Sequence, residues 1–235
     1  MTATPKRPFP PLRPHSTSDA EAIRDNDWAA FRQLEQVADH WTLKPWAPGQ
    51  TGFYWYLTFA DPTLVALATR CQKELDRDGI DPVPLDGLHL TLLGIGKSDF
   101  LSSAQLSAIT AVARGRLRGI RPFHLEIGPL TGSRSALRFS VAPWDDLLAL
   151  HSALREATAA VCSSAGITQT SQFRPHIGIG YINTPQSATR LIEDVAALRH
   201  FPPVSAEVTE VRLVQLRRDG KRYRWTDRAI VALGF

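Results

Sequence analysis

Two histidines carry the chemistry this sequence could perform. His89 opens the run Leu88-His89-Leu90-Thr91-Leu92, and His176 lies in Arg174-Pro175-His176-Ile177-Gly178-Ile179-Gly180-Tyr181. Side chains alternate faces along a strand, so the first run sets its three leucines on one face and His89 and Thr91 on the other. The second run sets Ile177, Ile179 and Tyr181 opposite His176, Gly178 and Gly180. A structural histidine more often sits singly on a surface or satisfied in a core. Two on the non-apolar faces of apolar strands, in opposite halves of the chain, suggest one shared cleft. Imidazole titrates closest to neutrality, so one copy can accept a proton while the other donates one at the same pH. That pairing suits a phosphodiester reaction, in which one group activates a ribose hydroxyl or water and the other protonates the leaving oxygen, and such a cleft needs no metal. The Thr91 hydroxyl, on the His89 face, could hydrogen-bond a non-bridging phosphate oxygen.

The elements that must position these strands follow in a repeated order. Asp19 and Glu21 lead into Ile23, Trp28, Phe31, Leu34 and Val37 at near-helical spacing, a capped amphipathic helix docking through Trp28 and Phe31. Trp41 to Gly52 reads as a turn-rich connector, and Phe53 to Phe59 as an aromatic strand. Asp61-Pro62 caps a helix to about Asp76, Gly79 to Gly87 is a loop, and Ser102 to about Arg118 is a second helix. Phe123 to Leu130 and Ala136 to Val141 form a hairpin around Thr131-Gly132-Ser133. In the second half Trp144 to about Ser164 is a helix, followed by the His176 strand and a helix from Pro185 to Arg199. A hairpin of Val208 to Leu216 and Tyr223 to Leu233 turns at Asp219-Gly220. This nearly duplicated order predicts an α+β fold of two similar lobes, antiparallel sheets facing each other and helices outside. Residues 1–16, with five prolines, read as a disordered or loosely attached arm. Residues 17–52 form an N-terminal helical extension and connector, and 53–235 a single bilobal domain.

With 235 residues, 43% of them hydrophobic and 21% charged, the chain can bury a substantial core as an ordinary soluble protein. The net charge of +4 either favours an anionic substrate or is solvated surface arginine. Cys71 and Cys162, both placed in helices, support neither a disulfide framework nor a cysteine zinc site. The N-terminus lacks the apolar core of a signal peptide, and no run is long enough to span a bilayer. A cytoplasmic protein, with no cofactor, no metal and no membrane association, is expected.

His89-Leu90-Thr91, matched in the second half by Pro175-His176, resembles the two-histidine (2H) phosphoesterase superfamily, which includes the bacterial 2′-5′ RNA ligases and cyclic phosphodiesterases. Tyr54 to Phe59, Leu88 to Leu92 and Phe173 to Tyr181 together are similar to actinobacterial proteins labelled as the 2′-5′ RNA ligase family. The resemblance covers about residues 40 to 235. It implies a bilobal fold with both histidines in a central cleft. It also implies metal-independent chemistry on 2′,3′-cyclic phosphates or 2′-5′ linkages, with RNA or a small nucleotide as substrate and a monomeric protein. On this resemblance His89 and His176 are the catalytic pair and Thr91 is a phosphate-binding hydroxyl. Gly178 departs from the pattern, standing where the second motif usually carries Thr or Ser. Three explanations are open: a backbone N–H exposed by Gly178 or Gly180 replaces the hydroxyl; Arg174 or Arg138 supplies the charge; or turnover is lost and nucleotide or RNA binding remains. Losing one hydrogen bond costs on the order of 1 kcal/mol, up to about 3 kcal/mol with charge assistance, which slows an enzyme rather than abolishing it.

Other candidates each have two readings. Arg138 shares a face with Ser140 and either looks into the cleft or lies on a solvated sheet edge. Tyr54 and Tyr56 either stack on a nucleobase or pack under a helix. His124 and Glu126 read as an exposed pair, and His151 as a helix-surface or boundary residue. His15, His40 and His200 fall in or beside loops with no ligating spacing. Arg217, Arg218, Lys221, Arg222 and Arg224 around the last turn either serve solubility or guide an RNA strand.

Overall fold

The computed structural model describes residues 12–162 and 173–234. Most of the expected arm, the end of the helix expected to reach Ser164, and residues 163–172 lie outside them. Helix α1 (Ala20–Arg32) begins where Asp19 accepts from the N–H groups of Glu21 and Ala22. It is followed by the two-residue strand β1 (Gln36–Val37) and the short helix α2 (His40–Leu43), capped by Asp39, within what reads as a plain connector. Strand β2 (Thr51–Thr58) sends Phe53, Trp55 and Leu57 into the main core. Tyr56, with Tyr54 packed against it, joins a smaller cluster around Val214 and Leu216. Asp61 caps α3 (Pro62–Glu74), with Pro62 in its first turn, where a missing N–H costs nothing.

The expected loop at Gly79 to Gly87 contains strand β3 (Ile80–Pro82) and a 3-10 turn, Leu85–Gly87. Polar and proline residues there gave no alternation to read. Then come β4 (His89–Lys97), α4 (Ser103–Leu117) with a Ser102/Gln105 capping box, β5 (Phe123–Ser133), β6 (Ala136–Ala142) and α5 (Asp145–Ala159). The β5–β6 turn falls at Arg134-Ser135, because Thr131 to Ser133 continue the strand. Cys162 lies beyond the end of α5. The remaining elements are β7 (Ile177–Ile182), β8 (Gln186–Ser187), α6 (Thr189–Leu198), β9 (Val204–Val208), β10 (Glu210–Asp219) and β11 (Arg222–Ala232).

Two antiparallel sheets result, in the orders β11-β10-β2-β4 and β3-β7-β6-β5-β9, beside a small β1-β8 pair. Helices α4 and α5 pack on the first sheet; α1, α3 and α6 pack on the second. The fold is α+β with one histidine strand in each sheet, as the repeated element order implies. The hairpins, however, are exchanged. β5 and β6, from the first half, join the sheet of His176, while β10 and β11, from the second half, join the sheet of His89.

Helix α1 is built into the second sheet: a Cβ added at Gly132 would lie 2.2 Å from Cε2 of the buried Phe31 ring. Trp28 is partly buried beside it. Gly132→Ala is therefore expected to lower stability by about 1–3 kcal/mol through overpacking, read from the urea midpoint. An unchanged midpoint would show that α1 does not rest there.

Candidate active site

His89 begins β4 and His176 immediately precedes β7. Each ring is tied to its own backbone in the same way: His89 Nδ1 lies 2.8 Å from the Gly87 carbonyl oxygen, and His176 Nδ1 lies 2.9 Å from that of Arg174. A carbonyl oxygen can only accept, so both Nδ1 atoms carry the proton and both Nε2 atoms carry the lone pair. The His89 ring is stacked on Tyr56 (centroids 4.4 Å apart, planes at 14°) and meets the edge of Trp225 at 5.3 Å. Both histidines line one cavity of about 340 Å³ between the two sheets.

Burial lowers the pKa of His89; the hydrogen bond to Gly87 opposes this and the charge of Lys44 adds to it. The pKa of His176 is lowered to about 3, by burial first and then by Arg138, Lys44 and the charge on His89. The two sites thus feel each other, and each disfavours a second positive charge.

Thr91 and Gly178 line the same cavity, one from each histidine strand, as do Tyr54 and Tyr56. The tyrosine face of β2 is therefore the cavity face, a point the aromatic character of both faces concealed. Burial raises the Tyr56 pKa well above its ordinary value, opposed by a hydrogen bond with the Thr91 hydroxyl. Nothing lies within 4 Å of a Cβ built on Gly178.

The strict alternation expected for the His176 strand fails at a bulge. Leu137 pairs with Gly180 and Arg138 with Gly178, so Ile179 is the extra residue. Beyond it the faces swap. Tyr181 lines the cavity with His176, whereas Ile179 and Gly180 face a separate pocket of about 260 Å³ beside Gln72 and Leu137. That second pocket contains no histidine and lies behind β7.

The two arginines are placed differently from either sequence expectation. Arg138 is neither in the cavity wall nor on a solvated edge; it is fully buried, with Nη2 donating to Asp27 Oδ1 at 3.0 Å. Arg174 borders the cavity, but its Nε donates to the same Asp27 oxygen at 3.1 Å, and its other nitrogens donate to the Leu12 carbonyl and the Asn26 side chain. Ser140 donates to Asp27 Oδ2 at 2.8 Å. Burial alone would raise the Asp27 pKa; Arg138 and Arg174 outweigh it and hold the carboxylate below its ordinary range. Leu12 and Arg13, read as part of a loose arm, bond to Arg174 and Phe173.

Several site residues carried no sequence signal. His40, on α2, lies in the cavity wall, with Nε2 3.1 Å from the Tyr223 hydroxyl and its ring 4.2 Å from that of Tyr181. Burial, with Lys44 and Arg218, lowers its pKa to about 3. Lys44 and Trp46 follow it into the wall. His151 is fully buried rather than at a helix surface: its Nδ1 donates to the Leu92 carbonyl (2.7 Å) and its ring stacks on Phe173 at 4.4 Å, joining the approaches to both histidine strands. The last-turn basic cluster is largely engaged. Arg218 donates to the carbonyls of Trp41 and Lys44, Arg224 pairs with Asp86, and Lys221 pairs with Asp81. His124 is exposed, and Glu126 pairs with Arg24. Among the described residues no His, Cys, Asp and Glu cluster could hold a metal, and no helix is long and apolar enough to cross a membrane.

Residues 60–220 match the family described as the 2′-5′ RNA ligase superfamily. No curated protein matches the chain. Among solved structures it is similar to TT0787 of Thermus thermophilus, with a TM-score of 0.57 and 18% identity over 78% of this chain and 98% of that one. Escherichia coli LigT in its apo form gives a TM-score of 0.58 at 23% identity, again over 78% and 98%. LigT complexed with 3′-AMP gives 0.54 at 23% identity over the same shares. These structures share the fold of this chain, which carries additional residues beyond them.

Proposed function

Since the chain belongs to the 2′-5′ RNA ligase superfamily, we propose that it is a metal-independent phosphodiesterase acting on 2′,3′-cyclic phosphate or 2′-5′-linked nucleotides or RNA. His176 is the general base and His89 the general acid. The observation that carries this reading is the repeated Nδ1 anchor, which gives two imidazoles on one cavity their Nε2 lone pairs. The pKa of His176, lowered to about 3, suits it to stay neutral and accept a proton. His89, the other imidazole on the cavity, is then the acid, protonated once a phosphate anion enters. In hydrolysis of a cyclic phosphate, His176 takes a proton from water as its oxygen bonds to phosphorus. The bond to one ribose oxygen breaks, and His89 protonates that oxygen. A ribose hydroxyl in place of water gives the reverse of 2′-5′ cleavage. The Thr91 hydroxyl lines the cavity and donates to a non-bridging phosphate oxygen. The complexes of E. coli LigT with ATP and with 3′-AMP support a nucleotide as the substrate class. We read the protein as a cytoplasmic monomer.

The test is a panel of 2′,3′-cyclic nucleotides and 2′-5′- and 3′-5′-linked dinucleotides, followed by kcat/KM against pH for the best substrate. The first two classes should turn over and the third should not. Because the acid must be protonated, kcat/KM should fall as pH rises through a midpoint below 6.5, the ordinary value from which His89 is lowered. Its acid limb should lie near 3, where His176 takes up a proton. No turnover of any cyclic or 2′-5′ compound would sink the reading.

A further inference from the structure

With Gly178 lacking a hydroxyl, and with Arg138 and Arg174 turned into Asp27, the two histidine strands bring neutral hydroxyls, those of Thr91 and Tyr181, to a phosphate that carries negative charge. The cavity nevertheless contains a cation from elsewhere. Lys44 lines it together with His40, His89 and His176, and its charge helps to lower the pKa of each of the three. It makes no ion pair among the described residues. Lys44 as a residue is exposed, while desolvation lowers the pKa of its ammonium.

The backbone that carries Lys44 is fastened to both sheets. Trp41 Nε1 donates to Asp81 on β3 at 2.8 Å. From β10, Arg218 donates to the carbonyls of Trp41 and Lys44, and its guanidinium lies 4.6 Å from the Trp41 ring. His40, one turn earlier, is held between Tyr223 of β11 and Tyr181 of β7. Such anchoring from several directions would be unusual for a lysine serving only solubility. The segment also precedes residue 60, where the family match begins.

We propose that Lys44 is the phosphate-binding cation of this cleft, taking a non-bridging oxygen of the scissile phosphate on the Gly178 side, opposite Thr91. The proposal rests on the two-histidine reading for its substrate, but the site itself is an anion site that binds inorganic phosphate without turnover. Calorimetry with inorganic phosphate on the full chain, for wild type, Lys44→Met and Lys44→Arg, tests it directly. Lys44→Met should weaken phosphate binding roughly 10- to 100-fold, with an unchanged melting temperature, and Lys44→Arg should restore most of it. KM for a cyclic nucleotide should rise in step. Equal binding by wild type and Lys44→Met, or no phosphate binding by the wild type, overturns the site and leaves the histidine reading standing. Lys44-dependent phosphate binding in a wild-type protein that cleaves no diester supports the site and removes the histidine reading.

Discussion

Replacing either His89 or His176 by Ala is expected to lower kcat by about 10²- to 10⁴-fold, while the protein remains folded. Neither ring is part of the main core, and each is held through Nδ1 by the carbonyl two residues before it. The double variant should be scarcely worse than either single one, because residues acting in one proton circuit do not contribute independently. The roles can be separated by the leaving group. A diester whose leaving oxygen belongs to a weakly basic phenol needs little protonation, so it should recover much of the loss in His89→Ala and none in His176→Ala. The same His89→Ala variant should lose the alkaline limb of the pH profile. Full activity in the double variant would remove the proposed mechanism altogether.

The second large effect is on stability. Asp27→Ala is expected to cost about 3–5 kcal/mol, because it leaves two buried guanidiniums, Arg138 and Arg174, facing each other without their shared carboxylate. Chemical denaturation measures it, and Asp27→Ala combined with Arg138→Met should recover part of the loss, since one of the two buried guanidiniums leaves with the carboxylate. A loss below about 1 kcal/mol would mean that water reaches the cluster. Activity should fall too, because the Arg174 carbonyl that holds His176 belongs to a residue Asp27 fixes. The pH dependence has a definite sign. Asp27 titrates below 3.8 when folded, so its contribution is full above that value and is lost as pH falls through the folded pKa. The neutral His40 and His176 act at higher pH. Between 6.5 and about 3 the unfolded chain binds more protons than the folded one, so stability declines as pH falls through that window.

Much of this architecture is legible in the sequence because it rests on local rules. Asp19, Asp61 and Ser102 announce their helices by capping, Phe53 to Phe59 announces a strand by residue type, and His89 and Thr91 share a face by simple alternation. What escaped was non-local. Asp27 lies on an amphipathic helix where a charged residue ordinarily faces water; only the packing of α1 on β6 shows that it serves two arginines more than a hundred residues away. His40 and Lys44 sit in a proline-rich connector whose path depends on Asp81 and Arg218, from two different sheets. For Tyr181 a signal was present. Glycines at 178 and 180 within an apolar strand mark a bulge, and a bulge reverses the faces after it.

The exchange of hairpins also dictates the order in which the chain can acquire its shape as it leaves the ribosome. β2 and β4 can pair early, but the other edge of β2 bonds to β10, with Tyr56 opposite Arg212. Until β10 has emerged, the aromatic strand keeps one bare edge and the His89 sheet is half built. Pairings so distant in sequence close slowly, and an unpaired strand edge is open to association while it waits. Completion of the His89 lobe therefore waits on β10 and β11, and the cleft comes into being only when that hairpin docks.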